Sequence, residues 1–110
     1  MRADHHLNVA AELLKMFTLA EEPKLLLACV EQVREALRGA GIISPLARTL
    51  DTIIRKHRES PMVFSRREKL VICDDRYAME TLDGNRVSRF LEQARTEIGG
   101  AHERELFAGR

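Results

Sequence analysis

The sequence predicts a mainly α protein of the α+β class, with about four helices and a small antiparallel β-hairpin or three-stranded meander between helices three and four. Three observations support this fold class. Long segments place apolar residues every three or four positions in both halves of the chain. The middle of the chain, residues 62–81, changes to short runs rich in β-forming residues. Proline, serine and glycine lie at the junctions between these segments, where helices begin and end.

The first predicted helix runs from Asp4 to Ala20 and carries two adjacent apolar stripes. One stripe contains Leu7, Ala10, Leu14 and Phe17, and the other contains Val9, Leu13, Met16 and Ala20. Such a helix is apolar over well more than a third of its circumference. We therefore expect this helix to pack against other elements on more than one side.

The second helix is the strongest signal in the sequence, and we expect the rest of the chain to pack around it. Pro23 suits a first helical turn, where its missing N–H costs nothing. Glycines at positions 39 and 41 end the helix. Apolar residues recur at helical spacing between these limits, at Leu26, Val30, Val33 and Leu37. Pairs of opposite charge three residues apart, Glu31 with Arg34 and Glu35 with Arg38, occupy the remaining face.

The third helix begins at Ser44–Pro45, a hydroxyl cap followed by a first-turn proline, and runs to about Arg58. Three strand-like runs follow, at residues 62–64, 69–73 and 77–81. The middle run is apolar on both faces, which predicts a central strand or one covered on both sides. Asp83–Gly84 is compatible with a hairpin turn, but the spacing of later apolar residues favours a fourth helix that Gly99–Gly100 ends.

We expect one compact helical domain over residues 1–100 and a flexible C-terminal tail over residues 101–110. The longest apolar run has six residues, far fewer than the roughly 20 that a membrane helix needs, and polar residues interrupt the N-terminal segment. Cys29 and Cys73 both lie in apolar runs, as reduced core thiols do. These features predict a cytoplasmic protein. Fourteen arginines against four lysines suggest a bacterial or phage source.

A local excess of positive charge between residues 44 and 69 permits a second interpretation. The order of three helices and then strands resembles a winged helix, in which the third helix and the hairpin would contact DNA. The candidate contacts are Arg48, Arg55, Lys56, Arg58, Arg66, Arg67 and Lys69. The cations gather at the C-terminal end of the helix, however, where the helix dipole and Asp51 account for them without DNA. Asp74–Asp75 would also place negative charge at the tip of the wing.

Catalytic and metal-binding signatures are absent from the sequence. It has no glycine-rich phosphate loop, no nucleophile elbow, no HExxH and no CxxC motif. His5 and His6 point about 100° apart on a helix and make a poor chelate. A small enzyme would need a cleft near His57. We therefore predict a protein that is not an enzyme and uses no cofactor or metal.

The remaining signal is a surplus of apolar surface, which a homodimer or a partner protein would cover. The candidate interface residues are Leu13, Met16, Phe17, Leu26, Met62 and Phe64. The preferred interpretation is a small regulatory protein that binds a partner protein, for example an anti-activator or adaptor that masks a transcription-factor surface. The alternative is a winged-helix-like DNA-binding regulator that uses the basic segment 48–69.

Overall fold

Helices surround α2, and a three-stranded sheet lies between α3 and α4 in the computed structural model. The elements are α1 (Arg2–Ala20), α2 (Lys24–Gly39), α3 (Pro45–Glu59), β1 (Met62–Arg66), β2 (Lys69–Cys73), β3 (Met79–Leu82) and α4 (Gly84–Ala108). The structure describes residues 2–60, 62–66, 69–73 and 79–108, with side chains for all of these except 2, 62, 64, 66, 79 and 105–108. The predicted fold class, mainly α with a small antiparallel sheet between α3 and α4, is confirmed.

α1 and α2 form an antiparallel hairpin. The backbone turns at Glu21, which has a positive φ of 54°, and its N–H donates to the carbonyl oxygen of Phe17 at 2.8 Å. Farther along the hairpin, Nδ1 of His6 lies 2.7 Å from Oε1 of Gln32. The thiol of Cys29 donates to the carbonyl oxygen of Ala10 at 3.3 Å. These contacts fix how the two helices are paired along their length.

α2 is the element that the others cover, as the sequence predicts. It packs against α1, α3, α4 and β2. Seven of its side chains are buried: Leu26, Leu27, Cys29, Val30, Val33, Ala36 and Leu37. The wide apolar stripe of this helix is therefore used by neighbours inside the same chain.

α3 begins as the Ser44–Pro45 pair predicts. The Ser44 hydroxyl accepts a hydrogen bond from the Ala47 N–H at 3.2 Å, and Pro45 is the first helical residue. Leu46, Leu50 and Ile53 are buried against the rest of the core. The cap and the apolar spacing together set the start and the direction of this helix.

The three strands form an antiparallel meander with β2 in the centre. β1 pairs with β2 through Val63 opposite Ile72, and β2 pairs with β3 through Leu70 opposite Leu82. Leu70, Ile72 and Leu82 belong to the helical core. The sequence-predicted central strand is confirmed. The Asp74–Asp75 tip lies outside the described residues.

α4 begins where the sequence allowed either a turn or a helix. Oδ1 of Asp83 accepts a hydrogen bond from the Arg86 N–H at 2.8 Å, which caps the helix, so Gly84 is not the tip of a hairpin. The helix also continues through Gly99–Gly100 to Ala108, and the expected helix end at these glycines is wrong. Each glycine lowers helix propensity by only about 1 kcal/mol, and buried Ile98 anchors the helix beside them. Flexibility of residues 101–110 stays a prediction.

Candidate protein-binding surface

The two apolar stripes of α1 have different surroundings. In the first stripe, Leu7, Ala10 and Phe17 are buried against the core. The second stripe lies on the surface of the protein: Val9 and Leu13 are half-buried, and Met16 and Ala20 are exposed. Met16 has 50% of its surface exposed. Because residues in this stripe are three or four apart, they form a continuous strip along the helix.

α2 extends this strip on one side. Since residue 6 contacts residue 32 and residue 10 contacts residue 29, the antiparallel pairing brings Leu13 level with Leu25 of α2. Leu25 is half-buried. Leu19, one turn of helix after Met16, is 80% exposed. We call this surface the α1–α2 patch, defined by Val9, Leu13, Met16, Leu19, Ala20 and Leu25.

Two residues predicted at the interface lie in the core instead. Leu26 has no exposed surface, and Phe17 is only 7% exposed. The ring of Phe17 packs at the start of α4, where a Cβ atom on Gly84 would lie 3.1 Å from its Cε1. Leu26 belongs to the face of α2 that the rest of the chain covers. The prediction of Phe17 and Leu26 as surface contacts is therefore wrong, while Leu13 and Met16 do lie together in the patch.

The other two predicted interface residues, Met62 and Phe64, have side chains outside the described part of the chain. Backbone register pairs position 62 with Cys73 and position 64 with Val71. Strand alternation therefore assigns both positions to the sheet face opposite Leu70 and Ile72. That face is separate from the α1–α2 patch. Ile43, in the connection between α2 and α3, is 92% exposed and also lies apart from the patch.

The α1–α2 hairpin carries charges of both signs, six carboxylates against five lysines and arginines. Glu12, Glu21, Glu22 and Glu31 are all exposed. The Lys24 ammonium lies 3.5 Å from the Glu22 carboxylate and partly offsets it. Lys15, also exposed, lies three residues after Glu12 and four before Leu19, so the patch combines an apolar centre with charges of both signs around it.

The basic residues of the alternative interpretation are only partly available to a ligand. Arg48, Arg55, Arg58 and Lys69 are exposed. Lys56 is 3.4 Å from Oε2 of Glu80, which also contacts Arg86. The Arg66 side chain and the whole of Arg67 lie outside the described residues. Lys56 thus holds α3 to β3 and α4, whereas the other described cations point to solvent.

The groove between α2 and α3 shows a further difference from the sequence prediction. Nε of Arg34 on α2 donates to Oδ1 of Asp51 on α3 at 2.5 Å, so the partner of Asp51 is not Arg55. Within α2, the predicted pair of Arg38 and Glu35 is present at 3.5 Å. A contact between helices cannot be read from spacing within one helix. The sequence therefore missed the pairing between α2 and α3.

The titratable groups near the core show one clear perturbation. Burial raises the pKa of the Cys29 thiol from 9.0 to about 12, because a thiolate there would lose its hydration. The neutral thiol is a hydrogen-bond donor that joins α1 to α2. Cys73 is also a free thiol and is half-buried. Among the residues that the structure describes, no group of three or more His, Cys, Asp or Glu side chains is arranged to hold a metal ion.

Comparison of the chain with protein-family models, with curated proteins and with solved structures finds no match. The fold and the surface therefore define it as a mainly α protein with an apolar patch on its α1–α2 hairpin. Across residues 2–60, 62–66, 69–73 and 79–108, none of the helices has the length and hydropathy required to span a bilayer.

Proposed function

We propose that this chain is a small, cytoplasmic, non-enzymatic regulatory protein that binds a partner protein through the α1–α2 patch. The observation that supports this proposal is the exposure of Met16 and Leu19 in one continuous apolar surface. Large contiguous apolar surfaces are uncommon on soluble monomers and are typical of interaction sites. Methionine suits such a site because its flexible side chain adapts to different partners.

Binding at this patch offers a simple mechanism of regulation. Apolar surface removed from water on docking stabilises a complex by about 25 cal/mol per Å² before the costs of association. A target whose own apolar surface is covered in this way can no longer bind its usual partner. An anti-activator or an adaptor that masks a transcription-factor surface would work by this competition.

Site-specific crosslinking tests the proposal directly. A photoreactive amino acid is placed at position 16 in the patch, or at position 96, an exposed residue on α4 that serves as the matched control. Each variant is expressed in the native cells and irradiated. We expect a defined protein adduct from position 16 and none from position 96. Equal adducts at both positions, or none at either, would contradict the proposal.

A pair of charge substitutions provides the second test. Met16→Glu should abolish capture of the crosslinked partner, because docking would then bury a carboxylate. Thr96→Glu should leave capture unchanged. Circular dichroism and thermal unfolding confirm that both variants are folded. Retention of the partner by a folded Met16→Glu protein would contradict the assignment of the patch.

Self-association is a separate part of the proposal. α2 and α3 pack on β2, and the face of the sheet with Leu70 and Ile72 belongs to the helical core. Cys73 and Thr81, half-buried on the other face, mark the surface where a second copy would pack. Sedimentation equilibrium should show a dimer that Thr81→Arg converts to a monomer and that Thr96→Arg does not. A monomeric wild-type protein would exclude the homodimer.

DNA binding is the second candidate function, and the exposure of Arg55 and Arg58 on α3 favours it. Contacts to phosphates would make the affinity fall steeply with salt. Fluorescence anisotropy with duplex DNA at 50 and 200 mM salt measures this dependence. Arg55→Gln/Arg58→Gln should weaken binding, whereas Arg89→Gln/Arg104→Gln on α4 should not. Equal effects of the two double substitutions would indicate nonspecific attraction and reject this candidate.

A further inference from the structure

The groove between α2 and α3 is lined by four arginines. Arg34 and Arg38 come from α2, and Arg55 and Arg58 come from α3. The groove has a volume of about 530 Å³, which lies in the range of small-molecule binding sites, roughly 300–1,000 Å³. A guanidinium group presents its N–H donors in a plane that matches the oxygens of a phosphate group. The groove therefore has the size and the hydrogen-bond donors of a phosphate-binding site.

Three carboxylates also line the groove, and two of them are already paired. Asp51 accepts a hydrogen bond from Nε of Arg34 at 2.5 Å. Glu35 lies 3.5 Å from Nη1 of Arg38 in the same helix. Because each of these carboxylates already holds an arginine of α2, neither neutralises the arginines of α3.

The two arginines of α3 face a single remaining carboxylate. Among the side chains that the structure describes, no ion pair includes Arg55, Arg58 or Glu31, the third carboxylate of the groove. All three residues are exposed. Two cations thus remain against one carboxylate, and the groove has a surplus of one positive charge. This surplus attracts an anion, while Glu31 opposes it.

Arg34 also retains a donor without an acceptor. Its Nε donates to Asp51, but its Nη1 is buried and has no hydrogen-bond partner among the described residues. Unpaired buried donors are rare in native proteins, and a bound ion is one explanation for them. The side chain as a whole is 16% exposed and lines the groove. Independently of the charge of the groove, this nitrogen points to an acceptor that binds beside Arg34.

We propose that the groove binds a phosphate group with two negative charges, as free phosphate or as a phosphate monoester, through Arg34, Arg55 and Arg58. Asp51, Arg55 and Arg58 are spaced i, i+4 and i+7, so they share one face of α3. The contact between Asp51 and Arg34 turns this face toward α2. A phosphate monoester has three terminal oxygens, one for each guanidinium group, whereas a carboxylate has two. The site is separate from the α1–α2 patch and does not depend on the proposed function.

Titration of the full-length protein with small anions, followed by heteronuclear NMR, tests the proposal. The probes are inorganic phosphate, phenyl phosphate, and benzoate, which carries a carboxylate on the same ring. We expect both phosphates to cause saturable shifts of the amide signals around the groove, and benzoate to bind at least about tenfold more weakly. The phosphate that binds more tightly identifies the source of the group. Absence of saturable shifts with both phosphates, or equal affinities for benzoate and phenyl phosphate, would overturn the proposal.

Paired substitutions separate the groove from the overall charge of the protein. Arg55→Gln/Arg58→Gln removes two of the three ligands and should weaken phosphate binding at least about tenfold. Arg89→Gln/Arg104→Gln removes two exposed arginines of α4, the same change in net charge, and should leave the affinity within about twofold. Equal losses from the two pairs would show that net charge determines binding, and would overturn the proposal.

Single substitutions on α2 give the second readout. Arg34→Lys keeps a cation beside Asp51 but removes Nη1, so it should weaken phosphate binding at least about threefold. Glu31→Gln removes the opposing carboxylate and should strengthen binding, whereas Glu103→Gln, at an exposed position on α4, should not. Circular dichroism confirms that each variant is folded. Unchanged affinity in a folded Arg34→Lys protein, or equal effects of the two glutamate substitutions, would place the phosphate outside the groove and overturn the proposal.

Discussion

The thiol of Cys29 on α2 donates a hydrogen bond to the carbonyl oxygen of Ala10 on α1 at 3.3 Å, and neither residue has any exposed surface. This bond lies within the interface between the two helices that form the α1–α2 patch. It links the ionisation of the thiol to the stability of that interface. Because the folded-state pKa is about 12 and the ordinary value is 9.0, the folded protein retains the thiol proton at a pH where the unfolded chain has lost it.

An alkaline loss of stability is the first expected consequence. The contribution of Cys29 should be fully present below pH 9 and decrease as the pH rises toward 12. Between pH 8 and pH 10.5, we expect the wild-type protein to lose about 2 kcal/mol more stability than Cys29→Ala. Urea denaturation at a series of pH values measures the difference. Parallel pH profiles for the two proteins would show that the thiol ionises as freely in the folded state as in the unfolded chain.

Substitution of Glu80 should destabilise the contact between α3, β3 and α4. Its side chain is 18% exposed and contacts both Lys56 and Arg86. Glu80→Gln leaves both cations without their carboxylate and should cost about 1–3 kcal/mol of unfolding free energy. Glu92→Gln removes an exposed pair with Arg95 and should cost less than about 1 kcal/mol. If the two costs in urea denaturation are equal, the Glu80 contacts are no stronger than a surface pair.

Alanine at Gly99 should stabilise the protein. The residue lies inside α4, is exposed, and has open space where a Cβ atom would be. We expect Gly99→Ala to raise the free energy of unfolding by about 0.5–1 kcal/mol. At Gly41, where φ is 70°, the same substitution should instead be destabilising. Destabilisation by Gly99→Ala would indicate that the helix ends at this glycine, as its sequence pattern suggests.

Glycine at position 21 should also be stabilising, for a different reason. Glu21 adopts a positive φ of 54° at the end of α1, a conformation that costs a residue with a Cβ atom roughly 1 kcal/mol. Glu21→Gly removes this cost and should raise the midpoint of urea unfolding. Glu22→Gly, at the next position, has no positive φ to relieve and should not stabilise the protein. A gain from both substitutions would point to charge repulsion as the cause.

Local signals predicted the elements of this fold well. The Ser44–Pro45 start of α3, the β2 strand and the start of α4 near Asp83 each depend on residues adjacent in sequence. The end of α4 was mispredicted because a glycine pair ends a helix only where the residues that follow do not themselves favour a helix. The turn at Glu21 could not be predicted, since its backbone conformation is imposed by the packing of α1 on α2.

The candidate surface was only partly predictable. Helical periodicity identified both stripes of α1, which lie about 100° apart around the helix, but spacing does not decide which one faces the core. Met16 was found on this basis, and Phe17 was misplaced. Leu25 was missed because its position beside Leu13 depends on the pairing of two helices. Glu80 was missed because its partners Lys56 and Arg86 come from two other elements.

The close pairing of α1 and α2 also bears on the order in which the protein folds. Cys29 and Ala10 are 19 positions apart, and the hairpin that they join needs only a three-residue connection. The packing of Phe17 beside Gly84 must instead bring together residues separated by most of the chain. Contacts between neighbours in sequence form faster, because less loop entropy is lost. The α1–α2 hairpin, with its apolar patch, is therefore expected to form before α4 docks against it, so a nascent chain would present the patch early in synthesis.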